Sequence, residues 1–230
     1  MRLSVIVPAL DEERQIAATL ASARQPGVGE VIVVDGGSRD RTREAARPLA
    51  DRVVEAPRGR ARQMNAGAAL ATGDALLFLH ADTRLPPDAA SAVAAALADP
   101  AVAGGRFDVR LEPSTPLLRA VGGLMNARSR LTGIATGDQA IFVRRAVFAA
   151  LGGFPDLPLM EDVAFSRALK RAGRIACLRG QVTTSSRRWQ QGGVVRTILL
   201  MWTLRLLFFL GVPAPRLARW YGAGRPSGAV

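Results

Sequence analysis

The chain has 230 residues, 49% hydrophobic and 22% charged, which excludes an intrinsically disordered chain and allows one substantial core. A single cysteine, Cys177, excludes an internal disulfide and a thiolate metal cluster, and the single histidine, His80, has to carry any Ser-His or Cys-His chemistry. The net charge of +12 is uneven: residues 1–162 hold 19 basic and 19 acidic side chains, whereas residues 163–230 hold 12 basic and no acidic ones, which points to an anionic partner for that third.

Leu3 to Val7 reads as a first strand stopped by Pro8, and it runs into acids without a signal-peptide layout. Asp11 is placed to cap a helix that reaches about Ala23, before Pro26-Gly27 breaks it. Glu30 to Val34 is a β-branched second strand, ending in the turn Asp35-Gly36-Gly37-Ser38-Arg39-Asp40, with Asp40 capping a helix to about Ala50. Arg52-Val53-Val54 gives a short third strand, and three arginines, Arg58, Arg60 and Arg62, surround the start of the next helix. Leu76-Leu77-Phe78-Leu79 is a buried strand that runs into His80-Ala81-Asp82. This alternation predicts an α/β fold with a mostly parallel sheet, whose ligands gather at the carboxyl ends of the strands. A carboxylate at Asp82 can hold a hard divalent cation; it can equally cap a turn.

Pro86-Pro87-Asp88 opens an alanine-rich helix ending near Asp99-Pro100. Beyond it, Val102 to Leu111 is a predicted strand, Pro116 to about Leu131 a helix, and Gly133 to Gln139 a glycine-punctuated loop before a strand from Ala140 to Val143. A short helix stops at Gly152-Gly153, and Glu161-Asp162 lies at the start of another that ends near Gly173. Val194 to Val212 is as long as a membrane span, but Arg205 within it would cost about 2.5–3.5 kcal/mol at the centre of a bilayer. A helix lying at the headgroup level fits better, with burial in a homodimer interface as the alternative. The tail after Pro213 reads as mobile.

Four segments in this order resemble the family 2 glycosyltransferases, inverting enzymes with the nucleotide-diphosphosugar-binding GT-A fold. They are Ser4 to Glu12, the turn Val33 to Asp40, His80-Ala81-Asp82 in place of the family's Asp-x-Asp, and Gly152-Gly153-Phe154 followed by Glu161-Asp162. The resemblance covers roughly residues 3–175. It implies a three-layer α/β/α sandwich as a transferase domain over residues 1–190, with an apolar, basic, membrane-associating helix and tail over residues 191–230. It also implies a nucleotide-diphosphosugar donor, UDP-linked by preference, held by Pro8, Ala9, Asp11, Asp35, Gly36 and Ala81. Arg62, near a helix N-terminus, is placed either to contact the base or diphosphate or on a solvated helix face. Arg187 and Arg188 either clamp the diphosphate from a C-terminal loop or form a basic membrane-facing patch. Asp35 would receive a hydrogen bond from the base. Asp82, with His80 beside it, would hold Mg²⁺ or Mn²⁺ on the diphosphate, and Asp162 would deprotonate the acceptor hydroxyl, with Glu161 as the alternative base.

His80 stands where the family has its first metal-motif aspartate, so it ligates, orients the acceptor or fills the site. Ser185-Ser186-Arg187-Arg188-Trp189 departs from the Gln-x-x-Arg-Trp of processive members, which favours single transfer. The acceptor expected is a lipid or lipid-linked hydroxyl, met by a cytoplasmic protein peripheral to the inner face of the cell membrane. A nucleotidyltransferase would want a glycine-rich loop where Pro8-Ala9-Leu10-Asp11-Glu12 stands. A nucleic-acid-binding module is disfavoured by 5% aromatics and no recognised motif, and a non-catalytic membrane scaffold on the same fold is the other alternative.

Overall fold

Uncharged runs of Val, Ile and Leu suit strands covered on both faces, and they form the middle of the sheet in the computed structural model, which describes residues 1–223. Strand β1 (Leu3–Ala9) is buried along its whole length. β2 (Val28–Asp35) and then β3 (Arg52–Glu55) lie on one side of it and β4 (Ala75–Phe78) on the other, all parallel. β5 (Thr83–Arg84), β6 (Val102–Glu112), β7 (Ile141–Arg144) and β8 (Arg174–Ser185) complete an eight-stranded sheet of order β3-β2-β1-β4-β7-β6-β8-β5. β7 is antiparallel to both its neighbours, whereas β6 and β8 pair in parallel.

Helices cover both faces, giving the expected three layers. α1 (Ile16–Ala23), α2 (Thr42–Ala46) and α4 (Ala89–Ala96) pack with Val5, Val7 and Leu77. α3 (Arg60–Leu70), α6 (Arg145–Ala150) and α7 (Glu161–Ala172) pack with Ile6, Leu76 and Phe78, as the two-residue period of strands requires. On this second face Phe154, after the two glycines, has its ring centroid 4.8 Å from that of Phe78 and 4.3 Å from that of Phe165. Asn65 clamps the backbone of Phe154 from α3, donating to its carbonyl at 2.8 Å and accepting its N–H at 2.9 Å. Truncating one ring of such a cluster costs about 3–5 kcal/mol. The Gly-Gly-Phe segment thus anchors the approach to α7 against β4.

α5 (Pro116–Thr132), a 3₁₀ turn (Gly137–Gln139), α8 (Arg187–Gly192), α9 (Val194–Phe209) and α10 (Ala214–Ala223) complete the described chain. Leu204 of α9 and Leu217 of α10 pack on Leu159, Met160 and Val163, next to the start of α7. No helix among the described residues is long and apolar enough to cross a membrane.

Two expectations are corrected, and two strands that the sequence pattern does not predict are added. Asp11 does not cap α1, which begins at Ile16 with Gln15 as its cap; its Oδ1 instead accepts the Arg39 N–H at 2.8 Å and so holds the turn after β2. The chain after Pro213 folds into α10 as far as Ala223, because Leu217, with Ala218 and Tyr221 beside it, gives the segment an apolar face that packs on the start of α7; residues 224–230 of the expected tail lie outside the described residues. β5 and β8 were absent from the sequence reading. β8 skips register around Arg179-Gly180, where Phe107 pairs with Leu178 but Asp108 with Gln181, and that interruption masks its period.

Candidate active site

β1 leads to β2 on one side while β4 lies on its other side, so the strand order reverses there and a crevice opens beyond the carboxyl ends of β1 and β4. A cavity of about 450 Å³ occupies that place. Asp11 and Glu12 line it from the end of β1, His80 and Asp82 from the end of β4, and Arg60 from the start of α3. Facing them are Gly137 and Asp138 of the 3₁₀ turn, Glu161 and Asp162 of α7, Arg187 and Arg188 of α8, Arg205 of α9 and Tyr221 of α10.

Among the described residues three non-glycine residues have left-handed backbones, Asp11 (φ 52°), Ala140 (φ 47°) and Met160 (φ 67°). Asp11 and Met160 line the cavity and Ala140 follows the turn that carries Asp138. Such residues cost about 1–3 kcal/mol each and persist where the surroundings fix them, commonly at functional sites.

On the β1–β4 side, Arg187 Nη2 lies 2.7 and 2.6 Å from the two carboxylate oxygens of Glu12 and 3.5 Å from Asp82 Oδ2. Burial raises the pKa of Glu12, against the hydrogen bond from Arg187 and with the help of the Asp82 charge. Burial, and then the charges of Arg60 and Arg188, lower the pKa of His80 to about 3, so its imidazole is neutral. Its ring lies against Gly137, where a Cβ would come within 2.3 Å of Nε2, so only glycine fits.

On the opposite side, α7 starts with two acids at its positive end, where the helix dipole favours carboxylates. Asp162 Oδ2 accepts the Gly137 N–H at 2.8 Å and Oδ1 the Val163 N–H at 2.7 Å, which fixes the carboxylate facing the cavity. Glu161 is buried, 3.5 Å from Arg60 Nε; burial raises its pKa, with Arg60 opposing and Asp162 adding. Burial also raises the pKa of Asp138, whose Oδ1 has neither solvent nor a hydrogen-bond partner among the described residues. Arg128 behind it has buried Nε and Nη2 atoms without partners among the described residues, and burial lowers its pKa.

The structure thus brings Asp11, His80, Asp82, Glu161, Asp162, Arg187 and Arg188 to one cavity. Pro8, Ala9, Gly36 and Ala81 lie buried behind that lining. Gly36 N–H donates to the Ala9 carbonyl at 2.9 Å, and Gln63 Nε2 donates to the carbonyls of Ala9 and Val34, both at 2.8 Å, so α3 locks these strand ends together. Asp35 is fully buried: Oδ2 accepts the N–H groups of Gly37 and Ser38 at 3.0 and 2.9 Å, and Oδ1 accepts the Ser38 hydroxyl. Its carboxylate shapes the turn and is enclosed by it. Arg62 is on the outer surface, paired with Asp156 at 2.9 Å. Arg60, two residues earlier on the helix and about 200° around it, is the arginine that faces the cavity.

Glu12, Arg60, Asp138 and Arg128 escaped the sequence reading. Glu12 carried a signal, as one of three consecutive acids after the first strand; Asp138 read only as part of a loop. Among the described residues no three His, Cys, Asp or Glu side chains converge into a ready-made metal cluster. Mg²⁺ is commonly held by one or two carboxylates with substrate phosphates supplying further oxygens, and Asp82 at the cavity wall fits that donor set.

A PGL/p-HBAD biosynthesis glycosyltransferase of Mycobacterium tuberculosis is 34% identical over 165 residues, which cover 66% of this chain and 62% of the relative; the chain therefore spans about three-fifths of that protein's length. A mannosyltransferase from Pyrobaculum calidifontis, solved in complex with GDP-Man and Mn²⁺, superposes with a TM-score of 0.68 at 24% identity over 93% of this chain and 66% of that one. The S. aureus TarS fragment 1–349 in complex with UDP-GlcNAc gives 0.61 at 24% identity over 81% of this chain and 59% of the other. These likenesses establish a GT-A fold. The sequence profile of glycosyl transferase family 2 matches residues 4–150, more than half of the chain, and the chain belongs to that family.

Proposed function

We propose that this chain is an inverting, single-transfer glycosyltransferase that moves a sugar from a nucleotide diphosphosugar to an acceptor hydroxyl. The observation that carries the reading is the opposition of two carboxylate groups across one cavity at the sheet's switch point: Glu12 and Asp82 with Arg187 on one side, Glu161 and Asp162 on the other. The first group suits a diphosphate and its cation, the second an acceptor hydroxyl.

Asp162 takes the proton from the acceptor hydroxyl as its oxygen attacks the anomeric carbon, and the bond from that carbon to the diphosphate oxygen breaks on the far side, inverting configuration. The Gly137 N–H holds the Asp162 carboxylate in place, and Glu161, tied to Arg60, buttresses it. A divalent cation held at Asp82 would supply charge neutralisation to the departing diphosphate. Arg187 and Arg188 add donors for phosphoryl oxygens. His80, neutral and packed on Gly137, lines the same cavity. UDP is the preferred nucleotide, in keeping with the UDP-GlcNAc bound by one structural relative, although another holds GDP-Man.

The C-terminal helices, here taken as an appendage over residues 191–230, present the acceptor. α9 shows an exposed stripe of Val195, Leu199, Trp202, Leu206 and Phe209, spaced by four and three residues, in a third of the chain without acids. Its other face, with Leu200 and Met201, lines the cavity. An anionic membrane surface fits the stripe and the charge together, and it would deliver a lipid-linked hydroxyl beside Asp162.

The test is release of nucleotide diphosphate from a panel of UDP- and GDP-sugars by the full chain. Asp162→Asn keeps an oxygen for the Gly137 N–H, so it should retain donor binding and lose about 10²–10⁴-fold in turnover. Normal turnover by Asp162→Asn with loss in Glu161→Gln would move the base to Glu161; normal turnover by both would remove the base from α7.

A further inference from the structure

Arg187 stands at the start of α8, and the residue before it is fixed: the Ser186 N–H donates to the Glu112 carbonyl at 2.8 Å and its hydroxyl to the Pro113 carbonyl at 3.0 Å. The backbone is therefore pinned while the side chain, 43% exposed, reaches across the cavity mouth. One nitrogen, Nη2, meets both oxygens of Glu12 and lies 3.5 Å from Asp82 Oδ2. Nε and Nη1 make no hydrogen bond among the described residues, so the guanidinium is held through Nη2 alone. Glu12 is itself anchored, its N–H donating to Thr42 Oγ1 at 2.8 Å, and its carboxylate is only 20% exposed.

Glu12 and Asp82 come from loops 70 residues apart and repel each other; Arg187 neutralises both. A diphosphate entering this side of the cavity meets two carboxylates whose ion-pair partner among the described residues, Arg187, is already engaged. Its binding gains from that cation changing partners.

We propose that Glu12 is a positioning residue that parks Arg187 in the unloaded enzyme, and that the donor's diphosphate draws the guanidinium off Glu12 and Asp82 onto its own oxygens. A diphosphate carries more charge than one carboxylate and offers geometry that suits the planar guanidinium, so the exchange is favourable once the donor arrives. The same move frees the Asp82 carboxylate for the cation that accompanies the donor. The link spans 175 residues, so it also ties the C-terminal segment to the first loop until the nucleotide enters. This inference rests on the glycosyltransfer reading, and it assigns Glu12 a role opposed to donor binding, whereas a loop-building residue would favour it.

The experiment is calorimetric titration of UDP, and in parallel GDP, into the full chain at low salt in EDTA, so that no metal contributes. Arg187→Ala should weaken binding of the preferred nucleotide about tenfold. Glu12→Gln should tighten it about fivefold, the worth of a partly exposed ion pair that no longer has to be broken. In the Arg187→Ala background the Glu12 substitution should change nothing. Glu12→Asp, with a shorter arm and a looser bridge, should shift affinity in the same direction and serves if Glu12→Gln lowers the yield of folded protein. Weaker or unchanged binding in the Glu12 variants overturns the parking role, as does tightening that persists without Arg187. Absence of UDP and GDP binding to the wild-type chain, with or without Mn²⁺, overturns the glycosyltransfer reading and this inference with it.

Discussion

Asp138 is held at the cavity with an oxygen that has no partner among the described residues, beside Asp162 and in front of Arg128. Its pKa is raised by burial, so the native state binds more protons than the unfolded chain from the ordinary aspartate value of 3.8 upward. The stability that comes from this protonation is present at low pH and is lost as pH rises through the native pKa. Asp138→Asn removes the ionisation, so its Tm should exceed that of the wild type at pH 8 by about 2–4 °C, the effect of about 1 kcal/mol in a chain of this size, and the gap should shrink at pH 4. A gap that is constant or reversed in thermal melts would mean that the carboxylate is compensated in the native state. At this scale the sequence was legible where a cavity-lining side chain lies just beyond a strand or opens a helix, as with Asp82, four residues after β4, and Asp162 in the first turn of α7. It was not legible where helical phase decides: Arg60 and Arg62 are equivalent in composition, and only the start of α3 at Arg60 turns one inward.

Among the elements, α9 has the most unusual surface. Thr197 and Leu204 are buried, yet Trp202 and Phe209 are 64% and 72% exposed. Burying a side chain of this kind is worth about 1.5–3 kcal/mol. Trp202→Ser with Phe209→Ser should therefore cut co-sedimentation with vesicles rich in anionic lipid at least tenfold while leaving donor cleavage intact. Equal co-sedimentation would remove the membrane role, and a shift from dimer to monomer in analytical ultracentrifugation would make the stripe a subunit interface. The apolar run behind α9 was plain in the sequence. β8 was hidden by the skipped register at Arg179-Gly180, and β5 is only two residues whose pairing with Thr183 and Thr184 depends on a strand about 100 residues away.

For the whole molecule, the charge division runs through the fold: residues 163–230, from the first turn of α7 onward, hold no acid, and Arg187, Arg188 and Arg205 of that segment line the cavity. The parallel half of the sheet was readable because βα units are local, each strand lying next to its own helix in sequence. The second half pairs β4 with β7 and β6 with β8 over long separations, and only the folded chain shows that these bring α7 opposite Asp82. The central claim is that the cavity binds a nucleotide diphosphate with a cation held at Asp82. Its most direct test is the affinity of UDP and GDP, measured by calorimetry with and without Mn²⁺, in the wild type and in Asp82→Ala. The account predicts that Mn²⁺ tightens binding at least tenfold in the wild type and has no such effect in Asp82→Ala, with Tm unchanged because Asp82 lies at the cavity wall outside the core. An equal Mn²⁺ effect in both proteins would contradict it.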